Sequence, residues 1–330
     1  MNFTDRERLS RIIETLKTNY RVSRLFSAYL TRCPEAISKS VIDAMTEDGS
    51  ITREEAIGAI LSELFSLDTK KNEDRLIERK YIPDSIRLLN ANKYRQNPYY
   101  RNVKIENIKD GDWELRLESY EPYRAVVCDD MMVKDGLYEV IPLGFFTERF
   151  DFPAVLEGGN EWMTLTPVDL DTCEEAIAAA HGKVVTFGLG LGYYAYMVAR
   201  KPEVESITVI EKSPDVIRLF KKHIFPYFEN KEKVRIINAD AFEYAEKEMP
   251  REGYDYAFVD TWRDASDGAP MYERMRALEH LSPSTEFSYW IREFLVSRIR
   301  SERFAKMLED IDRGIYPESY DAAIKYLTEI

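Results

Sequence analysis

The sequence predicts an α/β protein: a doubly wound parallel sheet with helices on both faces, preceded by an N-terminal helical region and a small antiparallel β lobe. Three observations carry this. From Lys183 onward, short β-forming runs alternate with helical stretches at the rhythm of strand–helix–strand units. The first hundred residues carry a helical spacing of apolar positions. Between the two, turn dipeptides separate short alternating runs. The expected division is residues 1–102, 103–160 and 161–330; a length of 330 residues suits more than one domain.

The elements follow in order. Thr4 with Glu7, and Thr52 with Glu55, fit capping boxes at helix starts. After Thr52 the positions Ala56, Ile57, Ile60, Leu61, Leu64 and Phe65 trace one apolar helix face, and Arg21 to Cys33 reads similarly. The "IPDSIRLLNANKY" stretch predicts a shorter helix. In "DWELRLESY", Trp113, Leu115 and Leu117 alternate with Glu114, Arg116 and Glu118, the pattern of a half-buried strand; "GLYEVIPLGFF" predicts another. "KVVTF" reads as a buried strand, "YYAYMVAR" as a helix and "SITVIE" as a second strand ending at Glu211. Ser213-Pro214 is a helix start for "DVIRLFKKHI". "KVRIINAD", "YDYAFVD" and "TEFSYWI" predict strands three to five, with the fifth followed by a helix. No terminal β-hairpin follows, so the sheet is expected to be truncated or completed from the 103–160 lobe.

Composition narrows the function. With a net charge of −13 and a pI near 5.0, the surface repels phosphate backbones, so no nucleic-acid partner is expected. The basic stretch Arg292, Arg298, Arg300, Arg303, Lys306 alternates with Glu293, Glu302 and Glu309 and reads as a solvated, salt-bridged face. Three scattered cysteines imply a reducing compartment and no disulfide framework. Neither a metal-ligand spacing, nor a signal-like apolar core, nor a membrane-length run is present, so a cytoplasmic protein without a membrane partner is expected. The sequence leaves the oligomeric state open.

In a doubly wound sheet the ligand lies beyond the carboxyl ends of the strands. Those ends carry the loop Gly188, Gly190, Gly192, then Glu211, then Asp240, then Asp260. Glycines let backbone approach a ligand closely. A carboxylate 23 residues after Gly188 can accept both hydroxyls of a ribose. Asp240 can accept from an adenine amino group while the next backbone N–H reads the ring. Asp260 stands where the reacting end would lie.

The dinucleotide fingerprint G-x-G-x-x-G fails at its third glycine, where Tyr193 stands. The G-x-G-x-G loop with its strand-end acids instead resembles the class I S-adenosylmethionine-dependent methyltransferases, Rossmann-like proteins, over roughly residues 180 to 265. The resemblance implies that Gly188, Leu189, Gly190 and Gly192 lie against the methionine part of S-adenosyl-L-methionine. It implies that Glu211 with Lys212 holds the ribose, and Asp240 with Ala241 the adenine. Asp260 falls where that family places its catalytic group. Tyr193, Tyr194, Thr261, Trp262, Trp162 and Thr166 are candidates for an unidentified small-molecule or protein substrate, and residues 159–177 for a lid. The family's usual acid two residues before the first glycine is here Thr186. "DTWR" after strand four excludes the Asn-Pro-Pro-aromatic route, and neither a Pro-Cys nucleophile nor a metal-binding acid pair occurs. The alternative within the transferases is a spermidine-synthase-like aminopropyltransferase, which has a β lobe before the same sheet. Outside them stand a nicotinamide oxidoreductase, disfavoured by Tyr193, and a non-catalytic nucleotide-fold interaction protein.

Overall fold

The structure is a computed structural model and describes residues 3–330, with side chains from Asp5 onward. The expected Thr4 cap therefore lies outside the described side chains. The chain forms two compact units, and neither is continuous in sequence. One comprises Met1–Asn90, Tyr120–Phe150 and Glu293–Ile330; the other comprises Ala91–Ser119 and Asp151–Arg292. The 103–160 segment is thus shared between them.

The second unit holds the doubly wound, Rossmann-like sheet. Its strands are β1 (Gly182–Phe187), β2 (Val204–Glu211), β3 (Val234–Asn238), β4 (Tyr256–Val259) and β5 (Glu286–Tyr289). All are parallel, in the order β3-β2-β1-β4-β5. Val184, Val185 and Phe187, Ile207, Val209 and Ile210, and Ala257, Phe258 and Val259 are all buried, because helices cover both faces of the central strands, which are therefore apolar except at Thr186 and Thr208. Connecting helices are α1 (Tyr193–Ala199), α2 (Pro214–His223), α3 (Ala241–Lys247) and α4 (Ala265–Arg276). Ser213 caps α2 by accepting from the Val216 N–H at 3.3 Å, as its Ser-Pro sequence predicts. Strand order reverses between β1 and β4, so a crevice opens beyond their carboxyl ends.

In the same unit a separate antiparallel sheet runs Ile108–Asp110, Trp113–Tyr120, Phe150–Glu157, Asn160–Thr164. It does not extend the parallel sheet, which keeps five strands; of the two alternatives the sheet is truncated and not completed from this lobe. Asp110 ties its first strand to α2, accepting from Arg218 at 3.0 Å and Lys222 at 2.9 Å.

The first unit contains the helices Phe3–Arg32, Arg53–Leu64 and Arg292–Asp312. The Thr52–Glu55 capping box forms: the Glu55 N–H donates to Thr52 Oγ1 at 3.1 Å and the Thr52 N–H to Glu55 Oε2 at 2.7 Å. Two expectations are corrected here. Within "IPDSIRLLNANKY", Ile86–Leu89 is a strand, paired in parallel with Leu143–Phe146. And "GLYEVIPLGFF" is two strands, Tyr138–Val140 and Leu143–Phe146, in different sheets, because Pro142 cannot donate to a ladder. The basic helix face is also not wholly solvated. Arg298 pairs with Glu302 at 2.9 Å on the surface, but Arg300 is 4% exposed and pairs with buried Glu139. Arg300 shares the inward stripe of Val296, Phe304 and Met307, so helical spacing carries its charge into the core.

Candidate active site

The carboxyl ends of β1, β2 and β4 and the segment just after β3 surround one cleft of about 690 Å³. Its wall includes Gly188, Leu189, Gly190, Glu211, Lys212, Asp240, Ala241, Asp260, Thr261, Trp262, Trp162 and Thr166. So twelve of the fifteen candidates read from the sequence meet in one place. Gly192, Tyr193 and Tyr194 do not line it.

Local geometry explains the composition of the wall. Gly188 has φ +102°, and a β-carbon there would lie 1.9 Å from the carbonyl oxygen of Asp260. The Asp260 N–H in turn donates to the Phe187 carbonyl at 2.9 Å, so the ends of β1 and β4 are pressed together. At Gly190 a β-carbon would meet Met163 Sδ at 2.0 Å, and the Leu191 N–H donates to that sulfur at 3.2 Å. Met163, on the strand Asn160–Thr164, thus seats its thioether on the glycine loop. Gly192 serves internal packing: a β-carbon would strike the Phe220 ring at 2.3 Å.

Glu211 braces the loop. Its Oε2 accepts from the Leu189 N–H at 3.1 Å and its Oε1 from the Ser213 N–H at 2.7 Å. Each oxygen keeps a further lone pair. Asp240 caps α3, accepting from the Phe242 and Glu243 N–H groups at 3.0 and 3.2 Å, and pairs with Lys212 at 3.2 Å. Burial raises the Asp240 carboxyl, but these hydrogen bonds and the Lys212 charge outweigh it and hold the group below its usual range. The Ala241 N–H, at the first position of α3, has no hydrogen-bond partner among the described residues. It remains available to a ligand, as does the Gly190 N–H on the loop.

Beneath the loop the cleft gives onto a small chamber of about 20 Å³, room for roughly one water-sized group. Among the groups lining it are Asp169, Cys173, Thr186, Tyr193, Tyr194 and Asp260. The tyrosine rings wall it while their hydroxyls point elsewhere: Asn97 donates to the Tyr193 oxygen at 3.0 Å, and the Tyr194 hydroxyl is 3.5 Å from the Ala176 carbonyl. Burial pushes the Asp260 carboxyl up to about 8, helped by the charges of Asp169 and Glu211. Burial pushes Asp169 up to about 6, against the pull of Thr166, whose N–H and hydroxyl both donate to Asp169 Oδ2 at 2.7 and 2.8 Å. Asp169 was not singled out by sequence: Thr166-Pro167-Val168-Asp169 is an ordinary capping pattern, and only the fold turns its carboxyl toward Asp260.

The remaining candidates form the outer wall. Trp162 is 44% exposed and meets Trp113 edge to face at 5.4 Å. Thr261 Oγ1 and Trp262 Nε1 are buried without hydrogen-bond partners. Chemically, the cleft offers a braced carboxylate, a helix start with a free N–H, and a carboxyl poised near neutrality at the strand switch point.

No family model matches the chain, and no curated protein matches it. Among solved structures, it is similar to spermidine synthase from Thermotoga maritima, with 16% identity and a TM-score of 0.32 over 62% of this chain and 72% of that one. It is also similar to precorrin 8W decarboxylase from Methanobacterium thermoautotrophicum, with 16% identity and a TM-score of 0.28 over 43% of this chain and 72% of that one. Likenesses this distant say nothing of activity. Among the described residues no helix is long and apolar enough to cross a membrane.

Proposed function

We propose that the cleft binds S-adenosyl-L-methionine and that the protein transfers its methyl group to a small-molecule or protein acceptor. One observation carries this reading: the glycine loop, Glu211 and the Asp240–Ala241 helix start line a single cleft large enough for a nucleoside bearing an amino-acid tail. Glu211 keeps lone pairs for the ribose hydroxyls, and the Ala241 N–H and the Asp240 carboxylate form a donor–acceptor pair for the adenine edge. These groups fit the cofactor, which when bound supplies an electrophilic methyl carbon on a sulfonium leaving group.

The chain's own residues do the rest. Asp260 stands at the switch point with a carboxyl near neutrality, suited to take a proton from the acceptor as its nucleophilic atom bonds to carbon. Trp262 and Trp290 wall this end and keep water away. The loop and Glu211, braced against each other, fix the geometry in advance.

A second reading, aminopropyl transfer from a decarboxylated analogue, draws support from the paired carboxyls of Asp169 and Asp260, which suit a cationic amine acceptor. Calorimetry with S-adenosylhomocysteine, decarboxylated S-adenosylmethionine and NADH separates the readings. Micromolar binding of S-adenosylhomocysteine is expected. Preference for the decarboxylated compound supports the second reading. NADH binding points to an oxidoreductase, and binding of none to a non-catalytic protein.

A further inference from the structure

The chamber beneath the glycine loop has an unusual chemistry. Two carboxyl groups open into it, and no Lys, Arg or His is among its lining residues. Neither carboxyl is neutralised locally. Asp169 Oδ2 is taken by Thr166, but Asp169 Oδ1 and both oxygens of Asp260 have no hydrogen-bond partner among the described residues. Two acids opening into one small chamber lose hydration and cannot both ionise without repelling each other, a cost that a cation held by both would reverse.

A second observation points the same way. Thr186 is 2% exposed, and its hydroxyl has no partner among the described residues. In the β1–β4 register Thr186 stands beside Phe258, and neighbours in register point to the same face. Thr186 and Phe258 both line the chamber, so the Thr186 side chain faces into it. A buried hydroxyl able to accept a hydrogen bond, in one chamber with two carboxyls, describes the socket of a small multiple donor. A primary ammonium has three N–H donors and no acceptor. The chamber's volume, about 20 Å³, admits such a head group and excludes a guanidinium or a larger ring.

We propose that this chamber is an ammonium socket in which Asp169 Oδ1, Asp260 and the Thr186 hydroxyl hold the α-amino group of the ligand lying in the cleft. The inference rests on the cofactor reading above and deepens it. The loop that would carry the methionine end has Thr186 where an acid is expected, and Asp169 supplies the missing charge from the segment before β1. Thr166 holds Asp169 through two hydrogen bonds to one oxygen, which leaves the other oriented for the ligand.

The test is titration calorimetry with three ligands: S-adenosylhomocysteine, its analogue with hydrogen in place of the α-amino group, and 5′-methylthioadenosine, which lacks the amino-acid tail. Wild-type protein is expected to bind the first at least about tenfold more tightly than the second, since a charge-assisted hydrogen-bond set is worth about 1.5–3 kcal/mol. Asp169→Asn, which keeps an acceptor for Thr166, should collapse that ratio to within about twofold and leave 5′-methylthioadenosine affinity unchanged. Thr186→Val, close in size and suited to a strand, should reduce the ratio severalfold. A ratio unaltered in both folded variants overturns the socket and leaves the cofactor reading standing. Equal weakening of all three ligands by Asp169→Asn also overturns it, since that marks a merely structural role. Failure of wild-type protein to bind any of the three overturns the cofactor reading and the socket together.

Discussion

The carbonyl oxygen of Asp260 occupies the place where a β-carbon on Gly188 would have to stand, 1.9 Å away. The obstacle is backbone, which cannot swing aside, and the residue also sits at φ +102°. Gly188→Ala is therefore expected to destabilise the protein by on the order of 3 kcal/mol and to abolish nucleoside binding. Gly136→Ala is the control: its φ is +72° with open space around it, so only about 1 kcal/mol of backbone strain is expected. Denaturant midpoints of the two variants measure the contrast; equal losses would mean that the Gly188 contact is not rigid.

Glu211 has both oxygens engaged by backbone N–H groups of the loop and of the α2 start. Glu211→Ala leaves the Leu189 and Ser213 N–H groups unpartnered, at about 1–3 kcal/mol each where water cannot replace the carboxylate. The expected outcome is a lower melting temperature together with a loss of S-adenosylhomocysteine affinity of tenfold or more. Glu211→Gln retains one acceptor and should lie between. Calorimetry on both variants checks the order.

Asp260 makes stability depend on pH in a defined direction. Its folded carboxyl titrates near 8, above the unfolded value, so between about 4 and 8 the folded state holds the extra proton. Stability contributed by that proton is present at low pH and lost as pH rises through this window. The groups that face it are Asp169, Glu211 and Cys173, none of which supplies positive charge. Asp260→Asn cannot ionise. It is expected to be more stable than wild type at pH 8, by on the order of 2 kcal/mol, and to converge with it near pH 4. Melting curves across this range decide the point. Methyl transfer by the same variant should fall by about a hundredfold or more.

Arg300 and Glu139 form a buried pair, with Arg300 on the inward stripe of its helix. Removing one partner strands the other charge: Arg300→Leu alone is expected to cost about 3–5 kcal/mol. The double replacement Arg300→Leu with Glu139→Leu should recover most of that loss, because no unpaired charge remains. Chemical denaturation of the two single variants and the double variant forms the cycle.

Much of this architecture is legible in the residues themselves. The parallel strands read cleanly because a strand buried on both faces is a nearly continuous apolar run, as in Val184–Val185 and Val209–Ile210. Their terminal acids are legible by position, although Glu211 braces the loop and Asp240 caps α3. What escapes notice is what long-range contact decides. Ile86–Leu89 looks helical until its parallel partner, Leu143–Phe146, is known. Arg300 looks solvated until Glu139 meets it. Asp169 looks like one more helix-start acid, and nothing in its neighbours announces the chamber shared with Asp260. Gly192 looks like part of a ligand cradle, whereas Phe220 is what requires it.

The interleaving of the two units has a consequence for how the chain is made. Leu9, Ile12 and Leu16 bury themselves against Phe304, Met307 and Leu327, which follow the parallel sheet in the chain. That cluster cannot close until the segment after the parallel sheet has been made. The segments of the parallel sheet, Gly182 to Tyr289, all emerge while the opening helix still lacks its partners. Nascent chains are therefore expected to acquire a nucleoside-competent sheet before the terminal helices lock. The apolar stripe of the first helix is then a natural hold point for chaperones until those partners emerge.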